Sequence, residues 1–225
     1  MRAGEVMSEA WDAYRAHWSH LVSIAFVVYV LIAFLALLLT AVLGWLGFVI
    51  GLLISLAGVF WIQGALVVAI EDVRDGRADL SIRETLDRVL PRLNTLTIAG
   101  LLAAIGIVAG LFLLVVPGLV LLTFWLLIVP VIMLEGAGVV RSFGRSYGLV
   151  KGHGWSVFGV IVLTVLVLVL VDIAFRLVGS AFDSWVAQVV VDIASRTVTA
   201  PFVALAWTMT YYRLRTLETA ALVTG

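Results

Sequence analysis

Two long stretches of this chain contain no charged residue, and neither can cross a membrane as one straight helix. The first lies between His20 and Glu71, and the second covers residues 93–134. About 50 residues of α-helix, at a rise of 1.5 Å each, would extend about 75 Å, whereas the hydrocarbon core of a bilayer is only about 30 Å thick. Each stretch must therefore turn back, and its glycine or proline residues indicate where it turns.

The composition is incompatible with a water-soluble surface. Hydrophobic residues make up 64% of the 225 residues and charged residues only 12%, whereas a soluble surface carries about 25–35% charged residues. We therefore expect one transmembrane domain over residues 1–225, an all-α polytopic bundle of about six transmembrane helices. They form three hairpins, at 21–70, 95–135 and 155–212. The predicted helices and turns are 21–43 and 46–70 around 44–47, 95–116 and 119–135 around Pro117-Gly118, and 155–177 and 186–212 around 179–184.

The basic residues predict which ends of these helices face the cytoplasm. Twelve of the fourteen lie before, between or after the three hairpins, and none lies in the three turns. These twelve are Arg2, Arg15, Arg74, Arg77, Arg83, Arg88, Arg92, Arg141, Arg145, Lys151, Arg213 and Arg215. Because positively charged segments remain on the cytoplasmic side of a membrane, we expect a bacterial inner-membrane protein with both termini in the cytoplasm.

A short amphipathic helix precedes each predicted hairpin, at 4–18, 81–92 and 139–151. Each has an apolar stripe opposite charged residues, a pattern typical of helices that lie in the membrane interface. In the second, Ser81 and Glu84 fit a capping box, in which each side chain accepts a backbone N–H of the other residue. The repeated order of amphipathic helix and hairpin favours triplication of one ancestral unit.

Two carboxylates end the second helices of the first two hairpins. Glu71 and Glu135 each follow a Phe-Trp pair by the same spacing. They could carry protons or cations at the cytoplasmic surface, or they could cap amphipathic helices and pair with arginine. Pro130 and Pro201 lie within predicted helices of the second and third hairpins, where proline either breaks a helix as in transporters or makes a tolerated kink.

Four charged residues fall inside the third hairpin. Asp172 and Arg176 are four residues apart, as are Asp192 and Arg196, and this spacing favours an ion pair within each helix. At a rise of 1.5 Å per residue, each aspartate lies roughly 27–28 Å from the cytoplasmic end of its helix. Charges inside a membrane are typical of ion or substrate sites. Paired charges at the outer rim also serve as structural cross-links, and both interpretations stay open.

Two segments of the C-terminal half resemble a known family. One is Pro-Val-Ile-Met-Leu-Glu-Gly at 130–136, followed by Arg141-Ser142 and by Tyr-Gly-Leu-Val-Lys-Gly-His-Gly-Trp at 147–155. The other runs from Pro201-Phe202 to Tyr-Tyr-Arg-Leu-Arg at 211–215. They resemble the membrane domain attached to some bacterial glycerophosphoryl diester phosphodiesterases, and related stand-alone inner-membrane proteins. The resemblance implies a six-helix membrane module. It implies no phosphodiesterase activity, because in those enzymes the metal-binding catalytic residues belong to a separate barrel domain.

The residues favour a non-catalytic membrane module, acting as a scaffold, regulatory or accessory subunit of an envelope or lipid-related system. There is no cysteine, His17 and His20 make only two candidate metal ligands, and the net charge is zero. We therefore expect no metal, no cofactor and no nucleic-acid partner. The alternatives are a transporter or permease for a lipid-like or apolar solute, and a membrane-embedded enzyme acting on lipids. The expected partners are membrane lipids, with another membrane protein, an ATPase subunit or a second copy of the chain left open.

Overall fold

The structure, a computed structural model, describes residues 2–74, 80–180 and 184–224, and every regular element in these ranges is helical. This confirms the predicted all-α class. Arg77 and residues 181–183 of the third predicted turn lie outside the described ranges. The elements are α1 (Ala3–Arg74), α2 (Ile82–Val89), a 3-10 turn (Leu90–Arg92), α3 (Leu93–Leu113), α4 (Val115–Trp125), α5 (Ile128–Glu135), α6 (Val139–Val150), α7 (Gly154–Gly179) and α8 (Trp185–Thr224).

Long apolar helices dominate the described residues. Five helical stretches are long and apolar enough to cross a membrane. They are Ala3–Arg74, Ile82–Leu113, Val115–Glu135, Gly154–Gly179 and Gln188–Ala221. These stretches agree with a multi-pass membrane protein, as the composition predicts.

The first helix, α1, departs from helical geometry at two residues. His17 (φ −128°, ψ 22°) and Gly44 (φ 59°, ψ −130°) divide it into α1a (3–16), α1b (18–43) and α1c (45–74). A positive φ is unfavourable for a residue that carries a Cβ, and glycine adopts it freely. The chain therefore changes direction at the first residue of the predicted 44–47 corner.

Small residues allow neighbouring helices to approach closely. A Cβ built on Gly51 of α1c would lie 3.2 Å from Ala36 of α1b, so these two segments pack side by side. A Cβ on Gly110 of α3 would lie 3.0 Å from the Cα atom of Gly118 in α4. Membrane helices commonly use small residues in this way, because backbone contact replaces the hydrophobic driving force that lipid does not supply.

The break between α3 and α4 falls at Leu114, three residues before the predicted Pro117-Gly118 turn. Leu114 is extended (φ −160°, ψ 141°), and Pro117 lies in the first turn of α4. The first backbone N–H groups of a helix have no intrahelical acceptor, so a proline there loses no hydrogen bond. Pro117 therefore starts a helix instead of forming the turn, and Gly118 provides the close contact with α3.

A second departure from the prediction divides the helix expected at 119–135. The structure has α4 and α5 there, separated at Leu126 and Leu127. Pro130 lies in the first turn of α5, and its ring would clash with the carbonyl of Leu126 in a continuous helix. Pro201, in contrast, lies inside α8, which continues through it without interruption.

The amphipathic segments pack into the helical bundle. In α1a, Val6 and Ala10 are fully buried, and the Trp11 ring lies 6.2 Å from the Phe202 ring of α8. In α6, the Phe143 ring lies 4.9 Å from the Trp125 ring of α4. The apolar stripes of α1a and α6 therefore contact the long helices directly.

Candidate functional site

A cluster of charged and hydroxyl groups joins three helices around Arg145. The Arg145 Nε group lies 3.0 Å from Glu135 Oε2, and its two terminal nitrogens donate to the Glu218 carboxylate at 2.6 and 2.7 Å. The Tyr211 hydroxyl donates to Glu135 Oε1 at 2.9 Å. We call Glu135, Arg145, Tyr211 and Glu218 the Arg145 cluster. Its bidentate contact with Glu218 has the planar, paired geometry that guanidinium and carboxylate groups form best.

Local sequence explains how the chain reaches this arrangement. Glu135 is the last residue of α5, and Gly136 follows it in the left-handed conformation (φ 66°), which ends the helix. Such a glycine cap turns the backbone away without a steric penalty. The chain then enters α6, which carries Arg145 back to Glu135, while Tyr211 and Glu218 lie about two turns apart on α8.

Burial differs within the cluster. Tyr211 is fully buried, and the exposed fractions of the Glu135, Arg145 and Glu218 side chains are 16%, 27% and 39%. The hydrogen bonds from Arg145 lower the pKa of Glu218, and the hydrogen bonds to Glu218 raise the pKa of Arg145. Both groups are therefore charged at neutral pH. A cluster satisfied in this way holds helices in position.

The same part of α8 binds the N-terminal segment. Arg213 donates to Glu5 at 2.9 Å and to Glu9 at 3.0 Å, and both carboxylates lie on α1a. The Arg74 guanidinium, at the end of α1c, lies 3.6 Å from the centre of the Tyr212 ring, a cation–π geometry. The contacts of Arg74, the Arg145 cluster and Arg213 thus meet at one end of the bundle, which we call the basic end.

Side chains from other elements cap α5 at both of its ends. At its start, the buried Ser146 hydroxyl of α6 donates to the Phe124 carbonyl at 2.6 Å and accepts the Leu127 N–H at 3.2 Å. At its end, Arg92 donates to the carbonyls of Ile132, at 3.1 Å, and Met133. Backbone groups freed at helix ends need such partners. The break before α5 is therefore closed by protein side chains.

A comparable contact lies next to Pro201. The Tyr14 hydroxyl of α1a donates to the Val198 carbonyl of α8 at 3.1 Å, about one turn before the proline. Proline disturbs the preceding turn, because its ring clashes with a carbonyl and it has no N–H to donate. Burial also raises the pKa of Tyr14 above its ordinary value. Two amphipathic segments thus place a hydroxyl at a helix position near proline.

The two predicted carboxylates have different environments. Glu135 belongs to the Arg145 cluster, whereas Glu71 is partly buried at the end of α1c and lies outside that cluster. Its neighbour Asp72, which is 7% exposed, accepts the backbone N–H of Leu80 at 3.1 Å. Asp72 therefore anchors the chain just before α2. The equal spacing of the two glutamates after a Phe-Trp pair did not distinguish these roles.

The capping box expected at the start of α2 is present. The Ser81 hydroxyl accepts the Glu84 N–H at 3.2 Å, and the Glu84 carboxylate accepts the Ser81 N–H at 2.8 Å. A hydrogen bond from the Ser81 side chain lowers the pKa of Glu84.

The Asp/Arg residues of the third hairpin form two separate ion pairs. Asp172 binds Arg176 at 2.6 Å, and Asp192 binds Arg196 at 2.8 Å, each within its own helix. All four side chains are exposed, by 46% to 73%. An open cleft of about 320 Å³ lies between α7 and α8 and is lined by three of the four, with Arg196 outside it. We call these residues the outer pairs.

Metal ligands are not grouped in the parts of the chain that the structure describes. No group of three or more His, Asp or Glu side chains lies close enough to hold an ion among residues 2–74, 80–180 and 184–224. His17 lies at the junction of α1a and α1b, and its Nδ1 atom is buried without a hydrogen bond.

The sequence patterns do not predict that Glu135 bonds to Arg145 and Tyr211, or that Arg145 also binds Glu218. In the sequence, Arg145 is one of the basic residues that predict orientation, Tyr211 resembles an aromatic anchor, and Glu218 lies beyond the last predicted helix. No short motif joins them, because 73 residues separate Arg145 from Glu218 and 76 separate Glu135 from Tyr211.

Comparison with protein-family models, with curated proteins and with solved structures finds no match for this chain. The Arg145 cluster, the outer pairs and the surfaces around them are therefore the features that bear on function.

Proposed function

We propose that the chain is an integral membrane module with six membrane spans in three hairpins, each preceded by an amphipathic helix. The five long apolar stretches support this arrangement, because Gly44 divides the first of them into α1b and α1c. At 1.5 Å per residue, α1b, α1c and α7 each extend about 40 Å or slightly more, enough to cross the hydrocarbon core.

We further propose that the basic end faces the cytoplasm of a bacterial inner membrane. Arg74, Arg145 and Arg213 meet there, and the three turns carry no basic residue. The positive-inside rule then places both termini in the cytoplasm. Labelling of single cysteines introduced at exposed positions near each end, before and after membrane permeabilisation, tests this orientation, because the chain has no cysteine of its own.

We infer a non-catalytic role, as a scaffold, regulatory or accessory subunit of an envelope or lipid-related system. The observation that carries this proposal is the Arg145 cluster. Its arginine and both of its carboxylates are engaged in hydrogen bonds that join α5, α6 and α8. A general acid or base must be able to exchange a proton with the substrate, whereas these groups are hydrogen-bonded to one another. The resemblance to phosphodiesterase membrane domains agrees, since those enzymes keep catalysis in another domain.

Purification of the tagged protein from its native membrane in a mild detergent tests this role, with mass spectrometry of copurifying proteins. We expect a stoichiometric partner, either another membrane protein or an ATPase subunit. The Arg145→Gln variant should lose the partner, and Arg141→Gln, at an exposed position of the same helix, should retain it. If neither the wild-type protein nor any variant retains a partner, the accessory role is contradicted.

A transporter for a lipid-like or apolar solute is the second candidate. The interruption between α4 and α5 favours it, because transporters bind solutes where helices are broken. Ser146 and Arg92 satisfy backbone groups at both ends of α5, which leaves fewer carbonyls for a solute. Solute uptake by vesicles containing only this protein would support transport. A chemical change in the lipid of those vesicles would instead support a membrane-embedded enzyme.

A further inference from the structure

An apolar cleft of about 600 Å³ lies between α4 and the start of α7. Its α4 wall is formed by Val116, Leu119 and Val120, and its α7 wall by Trp155 and Phe158. Val116 and Val120 are 69% and 46% exposed, so the cleft opens sideways, toward the lipid of the proposed membrane. Its volume falls within the range of about 300–1,000 Å³ that is typical of ligand sites.

One end of this cleft is polar. His153 and Ser156 line it, and Lys151 immediately precedes Gly152, which also lines it. Lys151 is exposed, and His153 is partly buried. Neither forms a side-chain hydrogen bond or an ion pair within the described part of the chain, unlike Arg145, which lies on the helix before them.

We propose that the cleft binds one anionic phospholipid, with an acyl chain along α4 and the phosphate group beside Lys151 and His153. The cleft complements this amphiphile, since its apolar walls end at the polar residues His153 and Ser156. Lys151, which has no ion-pair partner among the described residues, lies two residues before His153 in the chain. Trp155, which is 88% exposed, lies where an indole ring packs beside lipid headgroups. In the proposed orientation, the basic end meets the cytoplasmic leaflet, where anionic lipids attract lysine and arginine.

The cleft between α7 and α8, beside the outer pairs, does not offer the same chemistry. Its Arg176 side chain is bound to Asp172, so a phosphate group there would meet a carboxylate as well as a cation. The proposed lipid site also does not depend on the accessory role, because a lipid can bind whether or not a protein partner does.

Lipid retention by the purified full-length protein tests the proposal. The protein is prepared in dodecyl maltoside micelles containing either phosphatidylglycerol or phosphatidylcholine, and the bound lipid is counted by native mass spectrometry. We expect one phosphatidylglycerol per chain and little phosphatidylcholine. The double change Lys151→Gln and His153→Gln should lower phosphatidylglycerol retention about fivefold, since it removes the lysine charge and the imidazole ring from the proposed phosphate site.

A second variant tests the apolar part of the site. Val120→Trp adds an indole ring to the α4 wall and should lower retention to a similar degree, with no change in charge. The matched controls are Arg141→Gln, an exposed cation on α6, and Val165→Trp, an exposed position on α7. Both controls should retain the lipid.

Three results would overturn the proposal. Equal retention of both lipids would show that no headgroup is recognised. Equal loss of bound phosphatidylglycerol in the cleft variants and in the controls would show that the lipid binds elsewhere. A dimer mass that the Val120→Trp change abolishes, without any bound lipid, would assign the cleft to a second copy of the chain. Circular dichroism and size-exclusion chromatography confirm that each variant is folded.

Discussion

The Arg145 cluster and the outer pairs use the same chemical groups in opposite ways. In the outer pairs, arginine and aspartate lie four residues apart on one helix, and all four side chains are substantially exposed. In the Arg145 cluster, the partners are 10 and 73 residues apart in sequence, and the Glu135 side chain is only 16% exposed. The outer pairs follow from the local geometry of a helix, whereas the Arg145 cluster depends on how three helices pack.

This difference has an energetic consequence. An exposed ion pair contributes about 0–1 kcal/mol, because water and salt screen it and two flexible side chains must be ordered. A partly buried pair contributes little more by itself, but removal of one partner leaves a charge or polar group without compensation. We therefore expect substitutions at the basic end to lower the free energy of unfolding substantially, and those in the outer pairs to leave it nearly unchanged.

The largest expected effect tests whether backbone capping contributes more to the free energy of unfolding than the charged groups at the basic end do. Ser146→Ala would leave the Phe124 carbonyl and the Leu127 N–H unsatisfied in an apolar environment, and should lower the free energy of unfolding by about 3 kcal/mol. Ser142 is a matched control on the same helix, since it is fully buried and its hydroxyl bonds, among the described residues, only to the Val139 carbonyl. Its change to alanine should cost less than about 1 kcal/mol. Unfolding in mixed detergent and dodecyl sulfate micelles measures both, and equal losses would show that the break needs no partner.

The next effect is the removal of the cluster's arginine. Among the described residues, Arg145→Gln leaves Glu135 bonded only to the Tyr211 hydroxyl. It should lower the free energy of unfolding by about 2 kcal/mol, an intermediate value for a partly buried pair. The exposed control Arg141→Gln should change it by less than about 0.5 kcal/mol. The same unfolding assay compares them. If the two variants lose equal stability, the Arg145 cluster contributes no more than a surface charge.

Acidification should weaken the same contact by a smaller amount. The pKa of Glu218 is lower in the folded protein than its ordinary value of 4.5, so its contribution is present above that value and is lost as the pH falls through the lowered pKa. Thermal unfolding in detergent, followed from about pH 7 to about pH 3, should show less acid dependence in Glu218→Gln than in the wild-type protein. An identical acid dependence would mean that other carboxylates account for the loss.

The smallest effects are expected at the outer pairs. Asp172→Asn and Asp192→Asn should each change the free energy of unfolding by less than about 0.5 kcal/mol, because both pairs are exposed. The same variants should leave partner retention unchanged. A large loss of any transport or enzymatic activity, with stability unchanged, would instead assign a functional role to the cleft between α7 and α8.

Much of the fold could be predicted from local patterns, and the errors have identifiable causes. Gly44 belongs to the predicted 44–47 corner, and it has the positive φ that glycine adopts freely. Pro117 was assigned to a turn, although proline is equally suited to the first turn of a helix. The division at Leu126 and Leu127 was not predicted, since apolar residues on both sides conceal a break whose backbone partner, Ser146, comes from another helix.

The candidate sites show the same division. The spacing of Asp172 and Arg176 predicts their contact, because four residues bring two side chains to one face of a helix. No spacing connects Arg145 with Glu218, and their bidentate contact exists only because α6 and α8 lie side by side.

The sequence by itself determined the helical class and the long apolar helices, and it supports the proposed orientation. These properties depend on the length of apolar runs and on the distribution of basic residues along the chain. Only the tertiary structure decided which charges meet, which hydroxyl fills the break before α5, and where polar side chains line the end of an apolar cleft. Such contacts join residues far apart in the chain, and their formation depends on the packing of whole helices.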